Sequence, residues 1–381
     1  MSKPTSNRLS KLEAIRGLAA AYVAISHLAI EYFGVRQPAI FAQGAVMLFF
    51  IMSGFVICYS TGRIEPGQTP RGGFKDYFIK RFRRIVPLFV MAMGLGYLAD
   101  SYVAGSWLSV DRRTLLGNLA MLQDALHFKP GVYFDTFHNG PAWSLSYEWW
   151  YYMMFFPLLI APVAWRVRKY IVFALAALAF VSSALVIPDV QKKLGLGAWH
   201  SFGFANFLLL FPVWWAGVEM AREYQETSRV TILRQLPSVV ALWLFTFAFA
   251  AWYAMPQHHL YADVGGIERE MKFEAGELKH FGFAAVLLTG GLLWNALGWP
   301  LFAKTVGLFE RLAPISYGIY IIHMPVLFAL KASPLNGHPW LFVPAFLLGV
   351  GVLSYLLEVV VQGRINAVTR PLLSRSRASP R

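Results

Sequence analysis

The residues in this chain best suited to chemistry are Arg16, His27 and Glu148, each set in apolar surroundings. Arg16 and His27 lie eleven residues apart in the stretch Leu12–Ile30. Eleven residues turn an α-helix through about 1100°, within about 20° of three full turns, so both side chains fall on one stripe about 16 Å apart. An imidazole with an unperturbed pKa of about 6.5 is suited to act as a general base near neutral pH. Lipid-facing polar groups are costly, so a cation and an imidazole on one membrane helix are expected to face a bundle interior or a wet cavity. The plainer alternative is an interfacial arginine followed by a satisfied core histidine. Glu148 sits at least one turn inside His138-Asn-Gly-Pro-Ala-Trp-Ser-Leu-Ser-Tyr-Glu148-Trp-Trp-Tyr-Tyr152, and an intramembrane carboxylate invites a partner. At a depth similar to that of His27, Glu148 is expected to orient the imidazole and stabilise its protonated form.

Phosphate binding is a second chemistry that the residue types allow. Lys80-Arg-Phe-Arg-Arg-Ile-Val-Pro87 sets four cations before an apolar stretch, and arginine forks grip phosphate oxygens bidentately. The same cluster reads equally well as a topology signal. Pro87 is expected near the start of a span, where proline is tolerated. Ser53-Gly54, inside Phe49-Phe-Ile-Met-Ser-Gly-Phe55, lets helices approach closely and favours packing over chemistry. Ser316-Tyr-Gly-Ile-Tyr-Ile-Ile-His323-Met-Pro325 holds a second intramembrane histidine, read from its neighbours as a satisfied core side chain. Cys58 is the single cysteine, so no intramolecular disulfide forms, and no metal site is expected.

These residues must be positioned by membrane helices. The 381 residues are 57% hydrophobic and only 14% charged, with long uncharged runs throughout, which fits a polytopic membrane protein and no soluble class. The expected fold is all-α, an integral membrane bundle of about ten transmembrane helices. The expected spans are 14–33, 39–60, 85–104, 143–163, 170–188, 204–222, 237–255, 280–299, 312–331 and 339–362. The first stretch is expected to be a retained helix rather than a cleaved signal. Most of the 34 Lys and Arg residues then fall on the side of the N-terminus, which places both termini in the cytoplasm. The net charge of +14 is spread over short inter-span clusters that lack a nucleic-acid-binding signature, so nucleic acid is excluded as a partner. A membrane domain over 1–365 and a basic cytoplasmic tail over 366–381 are expected. The opposite side carries two long loops, 105–142, with a surface helix near Arg112–Leu126, and 256–279, rich in Asp263, Glu268, Glu270, Glu274 and Glu277. Both suit acceptor contact or plain solvation.

Taken in order, the motifs resemble the acyltransferase-3 family of membrane acyltransferases, the group that O-acylates bacterial surface polysaccharides. The resemblance rests on Arg16-x10-His27, Phe50-Ile-Met-Ser53-Gly54-Phe55, Arg81-x-x-Arg84 with Pro87, Trp143-Ser-Leu-Ser-Tyr-Glu148, and Ser316-Tyr-Gly-Ile-Tyr-x-x-His323. It covers almost the whole chain and departs at Trp149-Trp-Tyr-Tyr152, where many members carry Glu/Gln-Gln-Phe-Tyr. No hydrolase-like domain of the kind fused to some members is expected.

The resemblance implies an enzyme of the bacterial inner (cytoplasmic) membrane that moves an acetyl or other acyl group from acyl-CoA to a carbohydrate hydroxyl. No permanently bound cofactor is expected; acetyl-CoA or another acyl-CoA serves as co-substrate, and the lipid bilayer and a carbohydrate acceptor are the remaining partners. His27, Glu148 and Arg16 are the catalytic candidates. Arg81, Arg83, Arg84, Ser53, Trp143 and Ser144 are the donor-binding candidates, and His323, Tyr317 and His138 are candidates for acceptor contact or support of the site. A sugar hydroxyl is a poor nucleophile, so His27 is expected to take its proton as it attacks the thioester, with the arginines as a cationic funnel for CoA phosphates. The alternative from the residues alone is a proton-coupled carrier of a small solute. No oligomeric state is read from the sequence.

Overall fold

The computed structural model describes residues 6–70, 72–123, 136–184, 205–254, 262–263, 268–269 and 273–374. Over these residues the chain is an all-α bundle. Its helices are α1 (Ser6–Phe33), α2 (Gln37–Thr61), α3 (Gly73–Ala104), α4 (Arg112–Leu119), α5 (Trp143–Ile160) and α6 (Trp165–Ala184). They continue with α7 (Ala205–Leu209), α8 (Phe211–Thr227), α9 (Ile232–Tyr253), α10 (Phe273–Ala296), α11 (Ser316–Lys331), α12 (Pro339–Tyr355) and α13 (Gln362–Ser374). A 3-10 stretch, Val306–Ile315, leads into α11, and a π-helical turn, Leu356–Val361, joins α12 to α13. The described strands are two residues each, Ala262–Asp263 pairing antiparallel with Glu268–Arg269.

Each of the ten stretches read as spans overlaps a helix. Among the described residues six segments are long and apolar enough to cross a membrane: Leu9–Phe33, Ile40–Thr61, Gly73–Ala104, Ile232–Tyr253, Val306–Lys331 and Pro339–Leu373. Helix α5 falls short because tryptophan and tyrosine replace aliphatic residues, and α8 because it is only 17 residues long and carries Glu219, Arg222 and Glu223. Helix boundaries follow the expected punctuation. Proline sits in the first turn of α2, α8 and α12, and α3 is bounded by Gly72 and Gly105, both left-handed.

Two expectations are corrected. Pro87 does not open a span: the basic segment before it is already helical, so α3 starts at Gly73 and Pro87 lies in its interior. A proline has no N–H for the carbonyl four residues back. Here that carbonyl belongs to Arg83, and the Gln362 amide supplies the missing donor at 2.9 Å. Likewise Pro325 in α11 frees the Ile321 carbonyl, which accepts from Asn139 Nδ2 at 2.9 Å. Glu277 is the second correction. It belongs to α10 and not to a solvated loop, and it is buried beside His280 at 3.4 Å. Glu270 and the side chains of Asp263, Glu268 and Glu274 lie outside the described residues. The surface helix near Arg112 is α4, which ends at Leu119; 124–126 lie outside the description. Helix α13 runs on to Ser374, through the first part of the stretch assigned to the tail.

Lipid tails are as apolar as leucine, so close van der Waals contact rather than water exclusion holds membrane helices together. The most extensive contact is between α2 and α8. It depends on two glycines: a Cβ on Gly54 would sit 2.0 Å from the Trp214 carbonyl oxygen, and one on Gly217 would sit 1.8 Å from that of Ile51. These obstacles are backbone atoms, which cannot swing aside. Gly217→Ala is therefore expected to destabilise the detergent-solubilised protein by about 1–3 kcal/mol, the usual cost of overpacking. Gly290→Ala, with nothing within 4 Å of the added carbon, is expected to leave the thermal midpoint unlowered. Thermal unfolding of both variants checks the pair; equal midpoints would remove the α2–α8 glycine contact as a determinant.

Candidate functional site

A cavity of about 980 Å³ opens among the N-terminal parts of α1 and α3, the C-terminal half of α2, the first turns of α5, and α11. Its basic lining is Arg16, Lys80, Arg81, Arg83 and Arg84, against two carboxylates, Glu13 and Glu148. The helical stripe of α1 contributes Leu9, Leu12, Glu13 and Arg16, and α3 adds residues from Gly73 to Ile85 on one face. Ser53, Ser144 and Tyr317 line it as well. The expected donor-binding set is thus gathered around one space, except Trp143, which is buried against Tyr147 and Phe50 instead.

Neutral groups from three helices fix the Glu148 carboxylate. Ser53 Oγ donates to Oε1 at 2.6 Å, Tyr152 one turn along α5 donates to the same oxygen, and Trp214 Nε1 donates to Ser53 Oγ at 3.2 Å. Tyr152 is held in turn, since Tyr77 of α3 donates to its carbonyl at 2.9 Å. One carboxylate oxygen is therefore saturated, while the side chain still faces the cavity. The expectation that Ser53-Gly54 favours packing over chemistry fits Gly54, which permits the helix contact, whereas Ser53 uses that contact to hold Glu148.

The guanidinium groups are placed with hydrogen-bonding capacity to spare. Arg16 Nη2 donates to the Ala313 carbonyl at 2.9 Å, and its buried Nε–H has no partner among the described residues. Arg81 stacks on Tyr77 at 5.1 Å and reaches Ser60 Oγ at 3.2 Å, and its Nε–H is likewise buried and unpaired. Arg83 reaches Thr369 at 3.5 Å. Arg84 pairs with buried Glu358 at 2.9 Å, and the other Glu358 oxygen accepts the Gly318 N–H at 2.9 Å. Gly318 lies in the first turn of α11, whose free N–H groups favour a carboxylate. Five basic side chains against two carboxylates give the cavity lining a net positive charge, which suits an anionic occupant.

The expected His27–Glu148 pair is not formed. His27 does not line the cavity; its Nδ1 lies 3.0 Å from the Val23 carbonyl and 3.1 Å from His323 Nε2. His323, fully buried, also contacts the Ile319 carbonyl through Nδ1 at 3.1 Å. The helical stripe shared by Arg16 and His27 puts both on the α11 side of α1, yet along the axis only Arg16 reaches the cavity. Tyr320 connects the two regions: it lines the cavity, bonds Ser144 at 2.7 Å, and its ring lies 6.3 Å from that of His323. Tyr317 donates to the Ile85 carbonyl at 3.2 Å. His138 is not part of the cavity lining and bonds Asp100 at 2.7 Å.

Sequence reasoning missed Tyr152, Trp214, Tyr320 and Glu358. Tyr152 follows Glu148 by four residues, one helical turn, and that spacing was a usable signal. Glu358 is an intramembrane carboxylate in an expected span, the same signal that singled out Glu148.

Comparison with known proteins adds an independent line. The profile of a family described as "Acyltransferase domain" matches residues 9–359. The chain is similar to "Protein 2 in picA locus" of Rhizobium radiobacter, 37% identical over 39% of this chain and 81% of the relative. It is similar along 97% of both chains, at 24% identity, to "Nodulation protein 10" of Rhizobium leguminosarum bv. viciae. It is also 27% identical to "Acyltransferase MdmB" of Streptomyces mycarofaciens over 57% of this chain and 55% of that one. No solved structure matches.

The Glu358 network is testable on stability alone. Glu358→Ala leaves the Gly318 N–H and one face of Arg84 without partners, and an orphaned buried donor costs about 1–3 kcal/mol. A lower thermal midpoint than wild type is expected, with Glu358→Gln between the two because an amide oxygen still accepts from Gly318. An unchanged midpoint for Glu358→Ala would show that the carboxylate does not hold α11 to the π-helical turn.

Proposed function

Because the chain belongs to the acyltransferase-3 family of membrane acyltransferases, we propose that it moves an acyl group, acetyl in the first instance, from cytoplasmic acyl-CoA to a carbohydrate hydroxyl on an extracytoplasmic or lipid-linked acceptor. The observation that carries this reading is a cavity whose lining combines the arginine cluster with the anchored Glu148. In this reading the CoA phosphates lie against Arg81, Arg83 and Arg84, with Arg16 beyond them, and the thioester points past Ser53 and Glu148. The membrane is the bacterial inner membrane, spanned about ten times with both termini in the cytoplasm. The Lys and Arg asymmetry and the coincidence of helices with all ten apolar stretches support that topology. The arginine cluster then faces the cytoplasm, where acyl-CoA is found.

The reaction balances without a further reactant. The acceptor hydroxyl oxygen attacks the thioester carbonyl carbon while its proton passes to the His27 imidazole. The tetrahedral oxyanion collapses, the C–S bond breaks, and the thiolate takes the proton back from the imidazolium. The products are an O-acyl ester and the free thiol of CoA. Since His27 stands about 16 Å from Arg16 along α1, the acyl end must pass Tyr320 to reach it. Glu148 acts at the donor end rather than on His27.

Purified protein supplied with acetyl-CoA is expected to release free CoA when the correct glycan is added. His27→Ala is expected to abolish release while leaving acetyl-CoA binding intact; full turnover by that variant would remove His27 from the reaction. Arg81→Ala is expected to weaken acetyl-CoA binding about tenfold or more, the loss of one charge-assisted contact. Unchanged affinity in Arg81→Ala and Arg84→Ala would return the cluster to a topology role. Proton-dependent solute uptake with no CoA release from any glycan would favour the carrier.

A further inference from the structure

The proposed base needs a defined protonation state, and Glu148 does not supply it. His27 instead meets His323, and the hydrogen bonds around this pair restrict which ring nitrogen carries each proton. A carbonyl oxygen only accepts, so His323 Nδ1, at 3.1 Å from the Ile319 carbonyl, must carry a hydrogen. In a neutral imidazole the other nitrogen then holds a lone pair. That nitrogen, His323 Nε2, lies 3.1 Å from His27 Nδ1, so His27 Nδ1 must be the donor. The Val23 carbonyl, 3.0 Å from the same His27 Nδ1, demands a hydrogen there independently. Two carbonyls on two helices thus converge on one tautomer.

We infer that His323 is a positioning residue that holds His27 in its Nδ1–H tautomer and so presents His27 Nε2 as the lone pair that takes the acceptor's proton. The inference rests on the proposed role of His27 as base. No hydrogen bond among the described residues uses His27 Nε2, and the His27 side chain is only part-buried, whereas His323 is wholly enclosed. The arrangement has the logic of a hydrolytic triad with a neutral ring in place of the carboxylate. It orients the imidazole and accepts from the imidazolium, without a second charge in the membrane interior. It also gives the motif Ser316-Tyr-Gly-Ile-Tyr-x-x-His323 a purpose: α11 packs against α1, and Ile319 and His323 lie one turn apart on α11.

Two variants separate this role from packing. His323→Leu fills the space and removes the acceptor, whereas His323→Gln can place an amide oxygen where Nε2 stood. His323→Leu is expected to lower kcat about 10²-fold, the scale of a general-base contribution, with KM for acetyl-CoA unchanged. His323→Gln is expected to recover most of that loss. Equal activity of His323→Leu and wild type would overturn the inference, and so would a His323→Gln variant as impaired as His323→Leu. Nitrogen-15 NMR of labelled His27 reads the tautomer directly, independent of activity. The Nδ1–H form is expected in wild type and His323→Gln, and a smaller share of it in His323→Leu, where the Val23 carbonyl alone holds the hydrogen. A wild-type His27 protonated on Nε2 would overturn the assignment. Full acyl transfer by His27→Ala would instead overturn the base role, while the NMR result still decides the tautomer.

Discussion

The close approach of α2 and α8 is the constraint on which the site depends. Gly54 and Gly217 bring the two backbones so near that neither position has room for a methyl group. That contact lays Trp214 beside Ser53, and Ser53 in turn reaches Glu148 on α5. Without it, the half-buried carboxylate would lose the Ser53 hydroxyl, and a carboxylate without hydrogen bonds is costly in such surroundings. A packing feature and a chemical one therefore occupy adjacent residues of one short motif.

The opposite wall of the cavity is closed by the C-terminal third of the chain, and prolines explain how. Pro87 exposes the Arg83 carbonyl in the middle of the arginine cluster, and Gln362 of α13 satisfies it. Pro325 exposes the Ile321 carbonyl, and Asn139 satisfies it from the turn before α5. Glu358, in the π-helical turn, ties Arg84 to the start of α11. Irregular turns of this kind often occur at functional sites, and here one lets a carboxylate bridge two helices. Each of these two freed carbonyls is thus matched by a side chain from another part of the chain.

Much of the fold was legible because a bilayer demands long apolar runs, and those runs are unmistakable in the sequence. Pro87 misled because the charges before it suggested that the span opened there, although Phe74, Tyr77, Phe78 and Arg81 recur at helical spacing. Glu277 misled in the same way. At the site, periodicity correctly placed Arg16 and His27 on a common face, since angle around a helix is a property of local sequence. Depth alone paired His27 with Glu148, and depth does not specify a neighbour. The true neighbour, His323, lies almost three hundred residues away, and only the packing of α11 against α1 reveals it.

The central claim is that one cavity binds a thioester donor, phosphates at the arginines and acyl end toward Glu148. It is tested most directly by cryo-electron microscopy of the protein with a thioether analogue of acetyl-CoA. Phosphate density within hydrogen-bonding distance of Arg81, Arg83 or Arg84, and an acyl end beyond Ser53, is the predicted result. An analogue bound outside this cavity, or lying in it with its phosphates away from the arginines, would contradict the claim.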